Sequence, residues 1–143
     1  MKRIILRNGR IVTPFKTLTN VRLVLSGTQI ESLEPDDAPL LSDDLVIDVD
    51  GNYIAPGFID LHTHGAGGHD FMDGTVEAVI NAARTHLQYG TTTLTPTTLA
   101  TTFDELVAAL DAFSKAKEEM VDGPNLLGIH LEGPYFNPEQ AGA

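Results

Sequence analysis

Hydrophobic and polar residues alternate over short runs in the first fifty positions of this sequence. Three runs are rich in β-branched and other apolar residues: 3–12, 21–33 and 45–57. Each contains a two-residue turn signal: Asn8-Gly9, Ser26-Gly27 and Asp50-Gly51. Such dipeptides between alternating segments are typical of β-hairpins. We therefore predict that residues 1–52 form part of a small β-sheet domain, in which no active site is expected.

The pattern changes after Tyr53, where longer elements follow one another. A nearly continuous apolar run, YIAPGFIDLH, predicts a strand that is buried on both faces. Apolar spacings of three and four predict a helix at about 75–89 that ends at Gly90. The capping-box pair Thr102 and Glu105 begins a second helix. The apolar face predicted for this second helix consists of Phe103, Leu106, Val107, Leu110 and Phe113.

Two further apolar runs, at 91–97 and 125–133, complete a β-α-β-α-β order that calls for a parallel sheet with right-handed crossovers. A closed (β/α)₈ barrel needs roughly 250 residues, far more than the segment 53–143 contains. We therefore expect three βα units of such a barrel in a truncated chain. A complete small doubly wound domain is the competing interpretation.

Composition excludes several classes of function. Twenty acidic and nine basic residues give a net charge of −11, which argues against a nucleic-acid surface and against binding to an anionic membrane. The sequence has no apolar run approaching the roughly 18 residues of a membrane span and no signal-peptide pattern, so a cytoplasmic location is expected. Cysteine is absent. Any metal must therefore be held by imidazole and carboxylate groups.

The motif FIDLHTHGAGG places His62 and His64 at the end of the first predicted buried strand. Residues i and i+2 of a strand point to the same side, and the carboxyl ends of parallel strands are where α/β folds place their sites. Five histidines would produce about 0.2 such pairs by chance. Glu132 ends the third predicted strand at the same edge, and two imidazoles with one carboxylate suit Zn²⁺ or Fe²⁺.

The other histidines are less informative. His130 is either a ligand or a buried structural residue, whereas His69 is expected in a loop and His86 on a helix surface. Asp60 is a candidate for orienting a ligand histidine through a hydrogen bond, without binding the metal itself.

Four segments together resemble the amidohydrolase superfamily and, within it, the N-acetylglucosamine-6-phosphate deacetylase family: NGRIVTP, APGFIDLHTHGAGG, GTTTLTPTT and GIHLEGPYFNPEQAGA. The first-strand motif is shared across the superfamily, and HLEGPYFNPEQAGA is far more specific. The resemblance implies a (β/α)₈ barrel joined to a small β-sandwich built from both chain ends. The present sequence would then comprise part of the sandwich, 1–52, and the N-terminal part of the barrel, 53–143.

The resemblance also implies roles for individual residues. His62, His64 and Glu132 match the family's metal ligands, for one or two divalent ions, and Ala143 matches a backbone contact to the sugar. The substrate would be an amino-sugar phosphate, the whole enzyme a homodimer, and the catalytic aspartate would lie beyond Ala143. This chain alone is therefore expected to be inactive.

Two alternatives stay open from the sequence. The first is another amidohydrolase, dihydroorotase-like or deaminase-like, against which the segment HLEGPYF argues. The second is a non-catalytic domain that only binds metal or pairs with a partner chain.

Overall fold

The computed structural model describes residues 2–137 and 139 and has a mixed α/β architecture with small sheets. It divides into two compact units, Met1–Pro56 (unit 1) and Gly57–Ala143 (unit 2). The domain limits predicted above, 1–52 and 53–143, stay a prediction about the whole protein.

Within its described residues, unit 1 forms a four-stranded sheet in the order β5-β4-β1-β6 and a three-stranded sheet in the order β3-β2-β7. The strands are β1 (Arg3–Arg7), β2 (Arg10–Val12), β3 (Thr17–Leu18), β4 (Val21–Ser26), β5 (Gln29–Pro35), β6 (Leu45–Asp48) and β7 (Tyr53–Ile54). The hairpin predicted at Ser26-Gly27 is confirmed, since β4 and β5 pair antiparallel, but its turn lies one residue later, at Gly27-Thr28, because Ser26 pairs with Gln29.

The hairpins predicted at Asn8-Gly9 and Asp50-Gly51 are wrong. β1 pairs with β4 and β6, whereas β2 pairs with β3 and β7, so each turn carries the chain from one sheet to the other. The two turns lie side by side, and the Gly51 N–H donates to the Asn8 carbonyl at 2.7 Å. Asn8 and Asp50 both have positive φ, as a tight turn requires, but this turn chemistry does not specify which strands pair.

Among the ion pairs of unit 1, Arg22–Glu34 and Arg3–Asp44 have the shortest contacts. The buried Arg22 guanidinium donates to Glu34 at 2.5 and 3.0 Å and to the carbonyls of Ala38 and Pro39. Arg3 donates through two nitrogens to the Asp44 carboxylate at 2.8 and 2.9 Å. Each cation therefore has its carboxylate within the same unit.

Unit 2 contains a parallel three-stranded sheet in the order β12-β11-β8 among its described residues, together with a short antiparallel ribbon, β9-β10. Its elements are β8 (Phe58–Thr63), β9 (Gly65–Ala66), β10 (His69–Asp70), α1 (Val76–Gln88), β11 (Thr91–Pro96), α2 (Phe103–Glu119) and β12 (Asn125–Leu126). The predicted parallel β-α-β-α-β order is confirmed by these pairings.

Both helices begin where the sequence predicts. Thr75 caps α1 by accepting from the Ala78 N–H, and Gly90, with φ of +95°, follows its end. Thr102 and Glu105 form the predicted capping box of α2. The predicted apolar face of α2 is wrong in part, because α2 buries Ala109, Ala112, Phe113 and Ala116 while Phe103 is exposed. Alanines allow the helix to approach its neighbours closely, which a row of larger side chains would prevent.

The core of unit 2 joins both helices to the sheet. Its buried members are Phe71, Val79, Ala82, Ala83, Leu94, Ala112, Phe113, Ala116 and Leu126. Because Leu94 of β11 and Leu126 of β12 belong to the same cluster as residues of α1 and α2, both helices cover one face of the sheet.

The predicted burial of β8 on both faces is wrong in this structure. Phe58, Ile59 and Leu61 are 70%, 66% and 58% exposed. β8 lies at the edge of the sheet formed by the described residues, and an edge strand is covered only where another element packs on it. The predicted strand 125–133 is also shorter, since regular pairing ends at Leu126 and resumes only as a single bridge between Thr97 and His130.

Candidate metal centre

The structure brings His62, His64 and Glu132 together. His62 Nε2 lies 3.0 Å and His64 Nε2 lies 3.2 Å from the same carboxylate oxygen, Glu132 Oε2. Among the described residues, these three form a group whose ligand atoms all lie within 4.8 Å of one another. Side chains separated by 70 positions in the sequence therefore converge on one small space.

The convergence follows from strand geometry. His62 is in β8 and His64 follows its last residue, so alternation directs both imidazoles to one side. Thr63, between them, points the other way, and its hydroxyl contacts His86 Nε2 of α1 at 3.0 Å. Glu132 arrives from the segment after β12, which runs beside the end of β11 through the His130 N–H bond to the Pro96 carbonyl.

The donor set fits a divalent ion. Donor atoms bound at about 2.0–2.2 Å to one tetrahedral ion lie about 3.3–3.6 Å apart, close to the two contacts on Glu132 Oε2. Imidazole nitrogen with carboxylate oxygen is the combination that Zn²⁺ and Fe²⁺ accept. The buried His64 Nδ1 has no hydrogen-bond partner among the described residues. The other ring nitrogen of His64, Nε2, contacts the Glu132 carboxylate. Metal binding by these residues stays a prediction.

The remaining histidines and Asp60 have other contacts. The His130 ring packs edge-on against the His62 ring, with centroids 4.7 Å apart, and does not belong to the three-residue group. His69 lies in β10 with Nε2 3.5 Å from the Asn81 amide, not in a loop. Asp60 accepts from the backbone N–H of His62, so it contacts the main chain of the ligand candidate rather than its imidazole.

The sequence did not indicate that His86 contacts the strand segment that carries the two histidines. His86 was predicted to lie on a helix surface, but it is half-buried and reaches the strand residue between the two histidines. Its position at the last turn of α1 carries no local signal for this contact, which depends on how α1 packs on β11 and on the β9-β10 ribbon.

An open cleft of about 420 Å³ adjoins His64, and it is also lined by Gly65, Ala66, Gly68, His69, Asp70 and Asp73. The substrate contact predicted at Ala143 lies outside the described residues. His64 therefore belongs to the candidate ligand group and also borders an open space.

The chain matches a known protein family over the residues that carry this geometry. The model of the amidohydrolase family matches residues 53–142, which include the two histidines and Glu132. The chain belongs to the amidohydrolase family. Amidohydrolases generally depend on divalent metal ions, in agreement with the donor set found here.

Several individual amidohydrolases are similar to this chain. The chain is 39% identical over 90 residues to N-acetylglucosamine-6-phosphate deacetylase of Vibrio furnissii, covering 63% of this chain and 23% of that protein. It is 30% identical over 139 residues to N-acetylgalactosamine-6-phosphate deacetylase of Escherichia coli O157:H7, covering 97% and 35%. The crystal structure of N-acetylglucosamine-6-phosphate deacetylase from Pasteurella multocida superimposes with a TM-score of 0.83 at 30% identity, covering 96% and 36%.

This amidohydrolase chain thus spans between about a quarter and about a third of the length of these relatives. Of α1 and α2, the helices in the described part of the chain, neither combines the length and the apolar character that a membrane crossing requires.

Proposed function

We propose that this chain is the N-terminal part of a metal-dependent enzyme that hydrolyses N-acetylglucosamine 6-phosphate to glucosamine 6-phosphate and acetate. The observation that carries the proposal is the contact of His62 and His64 with one oxygen of Glu132. The similarity to deacetylases of amino-sugar phosphates supports the substrate class.

The proposal includes the fold of the whole enzyme. β8, β11 and β12 are parallel and adjacent in chain order, and α1 and α2 share one buried cluster on one face. The first units of a barrel have this arrangement, whereas a complete doubly wound sheet would also reverse its strand order and place helices on both faces. Neither feature occurs among the described residues of unit 2. Unit 2 would contribute the first three βα units of a (β/α)₈ barrel, and unit 1 part of a small β-sandwich, with the other strands of the enzyme lying beyond residues 1–143.

The roles of the residues follow from their atoms. A divalent ion, Zn²⁺ or Fe²⁺ and one or two in number, would supply Lewis acidity and lower the pKa of a water molecule. His62 and His64 would hold it through Nε2, and Glu132 through a carboxylate oxygen. The open cleft beside His64 would admit the acetamide group. The proton needed by the departing amine would come from an aspartate outside this chain, so its own residues bind and orient.

A second sugar phosphate is also a candidate substrate. One relative that matches nearly the whole chain is named for N-acetylgalactosamine 6-phosphate, which differs from the glucosamine compound at one carbon. A homodimeric enzyme in the cytoplasm belongs to the same proposal.

The test is acetate release by the complete product of the gene that contains this sequence, beside its Glu132→Ala variant. We expect metal-dependent release from N-acetylglucosamine 6-phosphate, slower release from N-acetylgalactosamine 6-phosphate, and none from the variant. The isolated 143-residue chain should release no acetate. A folded wild-type protein that is inactive on both sugars, or a fully active variant, would refute the proposal.

A further inference from the structure

Two buried threonines lie between the segments that carry the candidate ligands. Thr97 and Thr98 follow the last residue of β11 and are 0% and 2% exposed. Buried threonines at a strand end pack as β-branched residues, but each also carries a hydroxyl that has to be satisfied. The partners of these two hydroxyls point to a common role.

Thr97 holds the residue between the two histidines. Its backbone N–H donates to the Thr63 carbonyl at 2.8 Å, and its hydroxyl accepts from the Thr63 N–H at 3.1 Å. Both backbone polar groups of Thr63 are thereby bonded to one residue. The main chain that carries His62 and His64 is held from its neighbour strand.

Thr98 holds the residue that supplies the carboxylate. Its backbone N–H donates to the His130 carbonyl at 2.9 Å, and its hydroxyl accepts from the Glu132 N–H at 3.0 Å. After β12 ends at Leu126, the single bridge between Thr97 and His130 is the last ladder contact among the described residues, and it stops two residues before Glu132. The side chain of Thr98 replaces the missing ladder bond.

We propose that Thr97 and Thr98 are positioning residues for the metal site, with the Thr98 hydroxyl setting the distance between Glu132 and the histidine pair. This inference rests on the proposed function, because it assumes that the three residues bind an ion. A β-branched side chain has restricted χ1 freedom, so its hydroxyl is a rigid acceptor. Partners that orient metal ligands typically change metal affinity by about 10–100-fold when they are removed.

The experiment measures the Zn²⁺ dissociation constant of the complete gene product by competition with a chromophoric chelator. Thr98→Val keeps the shape and removes the hydroxyl, whereas Thr98→Ser keeps the hydroxyl and removes the methyl group. Thr98→Ala removes both, so the Ser and Ala variants isolate the hydroxyl even if the Val variant does not fold. Thr91→Val is the matched control, since Thr91 is a buried threonine at the other end of β11.

We expect Thr98→Val and Thr98→Ala to bind Zn²⁺ about 10–100-fold more weakly than wild type, and Thr98→Ser to stay within about threefold. Thr91→Val should leave the dissociation constant unchanged. Equal affinities of Thr98→Ser and Thr98→Ala would overturn the positioning role while the proposed function stands. A folded wild-type protein that binds no Zn²⁺ would overturn both.

Discussion

Glu34 in unit 1 and Glu132 in unit 2 are almost equally exposed, at 27% and 30% of their side chains, but their partners are of different kinds. Glu34 accepts two bonds from the Arg22 guanidinium and one from the Ser32 hydroxyl, all N–H or O–H donors. Glu132 faces two imidazole nitrogens, which can also offer lone pairs. A carboxylate with permanent donors is a structural ion pair, whereas a carboxylate beside two imidazoles is a candidate ligand set for a metal ion.

The electrostatics of unit 1 agree with a structural role. The hydrogen bonds from Arg22, and secondarily that from Ser32, hold the pKa of Glu34 below its usual range. The bond from Arg3 lowers the pKa of Asp44 to about 2. These carboxylates therefore remain charged and paired over the whole physiological pH range.

The largest expected effect comes from replacing each glutamate by its amide. In the complete protein, Glu132→Gln should weaken Zn²⁺ binding by about 100-fold or more, beyond the range for residues that only orient ligands. Glu34→Gln should leave Zn²⁺ affinity unchanged and lower the melting temperature. Chelator competition and a thermal melt on both variants make the comparison. It would break down if the two substitutions had equal effects on metal affinity.

Each unit has a glycine with positive φ, Gly133 in unit 2 and Gly51 in unit 1, at which the effect of a Cβ can be compared. Gly133 follows Glu132 with φ of +88°, and a Cβ there would lie 3.1 Å from Ala100 Cα. Gly133→Ala should therefore shift Glu132 and weaken Zn²⁺ binding about tenfold, the lower end of the effect of disturbing ligand orientation.

Gly51 in unit 1 is the matched control for this substitution. Its φ is +74°, but a Cβ would meet no atom of the described residues within 4 Å. Gly51→Ala should lower the melting temperature through backbone strain and leave metal affinity intact. Unchanged metal affinity in a folded Gly133→Ala protein would show that Glu132 does not depend on the turn that follows it.

Removing Arg22, the cation paired with Glu34, should have a smaller effect, which concerns the stability of unit 1 and not metal affinity. Arg22→Leu deprives Glu34 of its main donor and leaves the carbonyls of Ala38 and Pro39 without the guanidinium. We expect the melting temperature to fall by about 5 °C. Hydrogen exchange read by mass spectrometry should rise in peptides from residues 1–56 and not in peptides that contain the histidine pair. Faster exchange in both groups of peptides would contradict a local role for the pair.

The smallest effect is the acid dependence of unit 1. The Asp44 pKa falls from its usual value of 3.8 to about 2 in the folded protein, so folding favours the charged form. This contribution to stability is complete above about pH 4 and is lost as the pH falls from about 4 to about 2. Asp44→Asn should flatten the loss of stability in this window. An Asn variant with the same acid profile as wild type would assign the loss to other carboxylates.

Local patterns predicted the elements well and their partners less well. The capping box at Thr102 and the glycine after α1 marked the helix limits, because capping depends on residues close in sequence. The Asn8-Gly9 turn was correctly placed, but the hairpin was not, since the pairing of β1 and β2 depends on strands far along the chain. The apolar run of β8 predicted a covered strand, and coverage depends on neighbouring elements.

The sequence by itself determined the order of strands and helices along the chain of unit 2. It also determined the residue types of the candidate ligand set, His62, His64 and Glu132, with cysteine absent. Alternation in a strand is local, so it already directed the two imidazoles to one side. The tertiary structure decided that Glu132 reaches both histidines, and that Thr97 and Thr98 bond to the segments that carry them. The reason is physical: these contacts join parts of the chain more than thirty residues apart, and only the packing of β8, β11 and the segment after β12 determines their distances.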